Sequence, residues 1–215
     1  MRKCWMLVSF FLCFFLSGCN NTVRLESDLQ NVEQRDYATL LLVDKGKDGK
    51  LYECSVGIAK EKKVGEQGQR EDVSTFYVND FAELSKQYAS VKGKSLSLSH
   101  LKAILLVADK ETVMGTQWYL FEQMDKNMDI AKTVPVLQIK DKKAFLKYVK
   151  DAKEPVGIYL GNLVHMNGKE GTDIPWLSDY LRTLRDGKDL SVYYLEELEN
   201  GWCIRCRARI QFSKL

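Results

Sequence analysis

Three short apolar runs constrain the fold of this chain more than any other feature: Tyr37–Val43, Leu101–Ala108 and Val134–Ile139. Runs of that length with little polar interruption read as buried strands, and Leu101–Ala108 as a central one. Elsewhere the period changes. Tyr52, Cys54, Val56 and Ile58 alternate with Glu53, Ser55 and Gly57, which predicts a strand with Cys54 facing inward. Lys45–Lys50, with Gly46 and Gly49, reads as the turn joining this strand to the first in a hairpin. A charged, glycine-containing loop at Lys60–Arg70 leads into a further strand at Val73–Val78.

Helical spacing follows. Phe81, Leu84 and Tyr88 share one face, with Asn79 as the expected cap and Gly93 as the stop. Thr112–Met128 reads as a helix, and Asp141 starts another that carries Ala144, Phe145, Tyr148 and Val149. Pro155 breaks the chain before a stripe of Val156, Tyr159, Leu160, Leu163 and Val164. Asn167–Asp173 reads as a glycine-rich loop. Trp176, Tyr180, Leu181 and Leu184 suggest one more helix, with Pro175 at its first turn. Val192–Leu195 and Trp202–Phe212 predict two closing strands around a Glu-rich turn. Strands and helices are interspersed, so the expected class is α+β (mixed α/β), a mixed sheet with packed helices.

The start of the chain obeys different rules. Arg2 and Lys3 precede the apolar stretch Trp5–Leu16, and Leu16-Ser17-Gly18-Cys19 follows. The stretch is short for a membrane span, which takes about 20 residues. Two small residues before a thiol form a lipoprotein export signal, with cleavage before Cys19 and lipid on its sulfur. One acyl chain binds a membrane only marginally, whereas two anchor stably at about 0.8 kcal/mol per buried CH2. The expected organisation is a signal peptide at 1–18, a polar tether at 19–33 and a single domain at 34–215. That domain is expected on the outer face of the cell membrane. An uncleaved N-terminal anchor, with Cys19 incidental, is the alternative. Asn20 follows the cysteine, so the retention aspartate of some two-membrane bacteria is absent.

Charge and cysteine usage exclude several function classes. The 215 residues carry a net charge of +3, and removing Arg2 and Lys3 brings the rest close to neutral. That is no nucleic-acid signature. Of the six cysteines, Cys4 and Cys13 lie in the signal and Cys19 takes the lipid. Cys54, Cys203 and Cys206 remain, an odd set and no disulfide framework, so the fold must rest on its apolar core.

Cys203-Ile204-Arg205-Cys206 has the spacing of a redox pair, which belongs at a helix N-terminus. Its flanks alternate instead, from Trp202 to Phe212, and a strand sets the two thiols on opposite faces. Arg205, Arg207 and Arg209 form an outward row that reads as a solvated, charge-protected edge, with lipid headgroup contact as the alternative. His100 and His165 have no nucleophile or metal partner at a recognisable spacing. Asp125 and Asp129 read as a solvated helix face beside Lys126 and Lys132. The glycines at 46–49 and 168–171 match no phosphate-binding loop. No catalytic residue, cofactor site or metal site is expected.

Cys19 is followed by Glu33-Gln34-Arg35-Asp36-Tyr37 and an apolar strand ending Val43-Asp44. Ser74-Thr75-Phe76-Tyr77-Val78 and a helix come next. A leucine-rich segment, Lys94 to Leu106, contains His100-Leu101-Lys102, and Val134-Pro135-Val136-Leu137 supplies the strand beyond it. Together with the late helical segment Ile174–Arg185, these resemble the N-terminal domain of the Ger(x)C family, the lipoprotein C subunits of spore germinant receptors. The chain departs from the pattern in having Asn20-Asn21 where Trp-Asp is usual. It also stops at Leu215, where members usually continue into a further large domain.

The resemblance implies a non-enzymatic, lipid-anchored protein that assembles with two integral-membrane subunits, in the spore inner membrane if the organism sporulates. Such complexes sense small germinants. The expected function is therefore that of a germinant-receptor-like subunit acting through protein–protein contacts. A lipid-anchored substrate-binding protein of an importer is the alternative.

Overall fold

The computed structural model describes residues 34–61, 69–107, 116–186, 189–199 and 201–211, with the side chains of 61, 116–118, 189 and 206–211 left out. Cys19 and the segments assigned to the signal and tether lie outside these residues.

The three apolar runs are strands, and they lie side by side. β1 (Arg35–Lys45), β5 (Ala103–Val107) and β6 (Val136–Ile139) are parallel neighbours in the middle of one sheet. They pair Leu40 with Ala103 and Ile104 with Val136. Their side chains alternate between two buried faces, Leu41, Val43, Ile104 and Leu106 on one, Leu40, Leu42, Ala103 and Leu105 on the other. This explains why the runs carry so little polar interruption: neither face meets water.

β2 (Tyr52–Glu61) and β3 (Gln69–Val78) extend the sheet antiparallel on one side. β7 (Asp189–Leu198), parallel to β6, and β8 (Gly201–Gln211), antiparallel to β7, extend it on the other. The order is β3-β2-β1-β5-β6-β7-β8, with the short β4 (Ser95–Ser97) also paired to β1. The expected hairpin of β1 and β2 is present. Its turn uses Asp48 (φ 54°) and Gly49 (φ 79°) in left-handed conformation.

Five helices occur among the described residues, and they cover both faces. α1 (Phe81–Lys92), α2 (Thr116–Lys126) and α5 (Leu177–Asp186) pack on the Leu41 face through Phe81, Leu84, Tyr88, Phe121, Met124, Leu177 and Tyr180. α3 (Lys142–Asp151) and α4 (Val156–Lys169) pack on the Leu40 face through Phe145, Val149, Val156, Leu160 and Val164. The architecture is the expected α+β fold with a mixed sheet. Burying several large side chains on each face, at about 1.5–3 kcal/mol apiece, holds the layers together.

The local signals are mostly those read from the sequence, with corrections. α1 is capped by Asp80, not Asn79: the Asp80 carboxylate accepts the Glu83 amide at 2.6 Å. The Glu83 side chain reaches back to accept the Asn79 amide at 2.8 Å, a reciprocal capping box. Gly93 ends the helix in left-handed conformation. Asp141 caps α3 by accepting the Ala144 amide at 2.9 Å. α4 runs on to Lys169, so the expected loop at Asn167 begins later. Asp125 and Asp129 do not share a helix face, because α2 stops at Lys126. Cys54 faces inward as expected, 1% exposed. It cannot pair with Cys206, since β2 and β8 lie five strand spacings apart, about 24 Å.

α4 carries no capping side chain of its own, because Pro155 sits at its N-cap. Its first amides are met from across the sheet. The Glu71 carboxylate on β3 accepts from the Gly157 amide at 3.3 Å and from the Thr39 hydroxyl at 2.6 Å. Thr39 is the extra residue of a bulge in β1: Ala38 opposes Ile58 and Leu40 opposes Gly57.

Candidate functional site

The parallel strands begin at one end of the sheet, and there the family-like segments converge. β1 enters at Arg35. The leucine-rich segment folds beside it as β4 and the turn into β5, where the Lys102 amide donates to the Thr39 carbonyl at 2.8 Å. His100 lies on the surface and stacks on Tyr37, with ring centroids 4.5 Å apart and planes 22° apart. Asp36, only 8% exposed, accepts from the Tyr88 hydroxyl at 2.7 Å and from Lys94 at 3.4 Å. Burial, then the Asp36 carboxylate, push the Tyr88 phenol well above its ordinary range. Asp129 gathers the turn between β4 and β5: its carboxylate accepts from the Leu98 amide at 2.6 Å and the Ser97 hydroxyl at 3.0 Å. The Asp129 contacts fix the turn between β4 and β5, and Asp36 joins β1 to α1 through the Tyr88 side chain, so together they hold this end of the domain in one shape.

Beside them runs an open groove of about 840 Å³. Leu101, Val134, Pro135 and Val164 make its floor. Along one wall α4 presents Ile158, Gly161, Asn162, His165 and Lys169, residues three and four apart and therefore on one helix face. Lys102 forms the opposite lip. Its stem packs close to α4, where a Cβ at Gly161 would lie 3.3 Å from the Lys102 Cβ.

Trp176 stands at the end of the groove and borders a second hollow of about 260 Å³ lined by Gly171, Thr172, Asp173 and Ile174. The tryptophan is 40% exposed, yet its backbone is rigid. The Trp176 amide donates to Asp179 at 2.9 Å. On either side of it, the Val136 amide donates to the Pro175 carbonyl and the Leu177 amide to the Val134 carbonyl. The sequence pattern counts Trp176 as part of α5. It instead precedes that helix and points to solvent.

The electrostatics of the groove are one-sided. Its lining includes Lys102, His165 and Lys169 and no carboxylate. Both lysines are exposed, and among the described residues neither forms an ion pair.

The other residues singled out from sequence do not converge here. Asp125 lies near Lys132, which donates to the last carbonyls of α2. β8 is a strand through Cys203 and Cys206, as read. Trp202 and Ile204 are buried and Cys203 is partly exposed, while the Cys206 side chain lies outside the described residues. Arg205 is exposed, 3.8 Å from Glu196. A register shift opposite Val192 and Tyr193 interrupts the two-residue period before Arg207 and Arg209, whose side chains are also outside the described set. The glycines at 168 and 171 border the hollows.

No helix among the described residues is long and apolar enough to cross a membrane. No curated protein and no solved structure matches the chain significantly. A family model does, the spore germination protein N-terminal domain, over residues 28–197. That span covers most of the chain, from before β1 to within β7. It includes every segment of the leucine-rich turn and every wall of the groove, so the chain belongs to the Ger(x)C family and carries its spore germination protein N-terminal domain.

Proposed function

We propose that this germination protein is a lipid-anchored, non-enzymatic subunit of a germinant-receptor-like complex. It works through protein contacts on the outer face of the membrane. The family match over residues 28–197 is the observation that carries this reading. The site's chemistry agrees with it: the polar groups where the strands begin hold these segments together, and the groove offers cations and an exposed tryptophan as contact groups.

In this reading Cys19 bears a diacylglycerol thioether after removal of residues 1–18, and residues 19–33 tether the domain. Anchoring turns docking into an encounter at high effective concentration, so weak contacts suffice. The test is Cys19→Ala in sporulating cells. The variant keeps the folded domain but leaves the membrane fraction. Undiminished membrane retention contradicts the lipid anchor.

A further inference from the structure

We propose that the groove between α4 and the starts of β5 and β6 is the docking site for an acidic, extended peptide segment with an apolar anchor residue. Such a segment would come from a partner on the same face of the membrane. The inference rests on the reading above, that the protein acts by protein contact, and it names the surface and the chemistry of what binds.

Charge complementarity is the first argument. Lys102, His165 and Lys169 line the groove, no carboxylate does, and among the described residues both lysines are without ion pairs. Both are exposed, so a bound carboxylate reaches either ammonium without displacing an internal partner. Unpaired cations around a concave surface raise the local concentration of an anionic ligand and fix its register.

Shape is the second argument. The floor is apolar, through Leu101, Val134, Pro135 and Val164, and Trp176 stands rigid at its end. A backbone-locked, exposed tryptophan beside a pocket is the type of residue that dominates binding energy at protein interfaces. A bilayer surface is flat and meets cations on protruding side chains, so a trough with an apolar floor favours a chain laid into it over lipid headgroups. A peptide of alternating acidic and apolar residues satisfies both walls at once: the carboxylates face Lys102 and Lys169, and the apolar side chain contacts the floor and the indole.

The test uses the full-length lipoprotein in membranes of sporulating cells. The photoreactive residue p-benzoylphenylalanine replaces Asn162 in the groove wall, and in a control replaces Val91, which is 68% exposed on α1. After irradiation the cross-linked peptide is sequenced by mass spectrometry. The expected adduct from position 162 is a segment with at least two Asp or Glu residues flanking an apolar one, with none from position 91. In the Lys102→Glu, Lys169→Glu background its yield falls by about tenfold or more.

An adduct to lipid, an adduct to a segment without acidic residues, or an unchanged yield after charge reversal overturns the proposal. So does the absence of any adduct at position 162. If the wild-type protein still co-purifies with membrane subunits in that case, only the groove is wrong. If it does not, the wider reading fails as well.

Discussion

The Thr39 hydroxyl donates to the Glu71 carboxylate at 2.6 Å, joining the bulge in the central strand to a buried acid two strands away. Glu71 is 7% exposed and also meets the first amides of α4, the helix that forms one wall of the groove. The fit is close on every side. A Cβ at Gly157 would lie 2.7 Å from the Thr39 carbonyl, and one at Gly57 would lie 2.3 Å from the Glu71 carboxylate. A strand bulge, an acid and a helix start thus position the α4 wall.

Burial raises the Glu71 pKa above its ordinary value of 4.5, only partly offset by the hydrogen bonds from Thr39 and from the Gly157 and Val156 amides. The native state therefore binds more protons at this site than the unfolded chain does. The stabilisation from protonated Glu71 is complete below pH 4.5 and is lost as pH rises through the native pKa. Wild type minus Glu71→Gln should show stability declining with pH above 4.5 in urea unfolding. A difference that is flat with pH contradicts this. Thr39→Val removes the donor and leaves the acid buried, at a cost of about 1–3 kcal/mol.

Lys142 bridges Asp44 and Glu53 at the start of α3, and the Glu53 and Lys142 side chains are only 9% and 14% exposed. Burial pulls the Lys142 pKa down, but the two carboxylates outweigh it and hold the ammonium charged. Lys142→Met strands both acids, so it should destabilise by about 3–5 kcal/mol. Adding Glu53→Gln recovers part of that loss. Equal stability of Lys142→Met and wild type would show that the acids find water instead.

Gln138 is fully buried in β6, and both polar atoms of its side chain lack partners among the described residues, as does the buried Tyr180 hydroxyl. Met has nearly the same shape and nothing to satisfy. Gln138→Met should therefore raise stability by about 1–3 kcal/mol, read as an upward shift of the urea midpoint. A loss of stability would reveal a partner for the amide.

Burial pushes the Cys54 thiol up to about 12, so it is neutral and shielded in the folded protein. A maleimide should label Cys203, which is partly exposed, and spare Cys54 until urea is added. Peptide mapping separates the two. Native-state labelling of Cys54 would mean that β2 opens to solvent.

Much of the scaffold was legible in the sequence because its signals are local. The apolar runs, the inward Cys54, the Gly93 stop and the Asp141 cap each declare themselves within a few residues. Asn79 and Asp80 were confused because both are good caps, and only the backbone at Asp80 decides between them. The groove was not legible. Its walls come from residues 99–102, 131–135, 158–169 and 176, and periodicity reveals which face of an element is apolar but not which elements lie side by side. Trp176 was misread for the same reason: its spacing from Tyr180 fits a helix face, yet backbone bonds of its neighbours to Val134 and Val136 hold it outside the helix. The Thr39–Glu71 contact spans 32 residues and depends on a bulge that no local pattern announces.

The central claim is that this protein does its work in contact with membrane subunits. Its most direct test is a cross-linked pull-down of the tagged mature protein from membranes of sporulating cells, read by mass spectrometry. The account predicts recovery of polytopic receptor-type subunits. Recovery of an importer permease, or of no membrane partner, would contradict it.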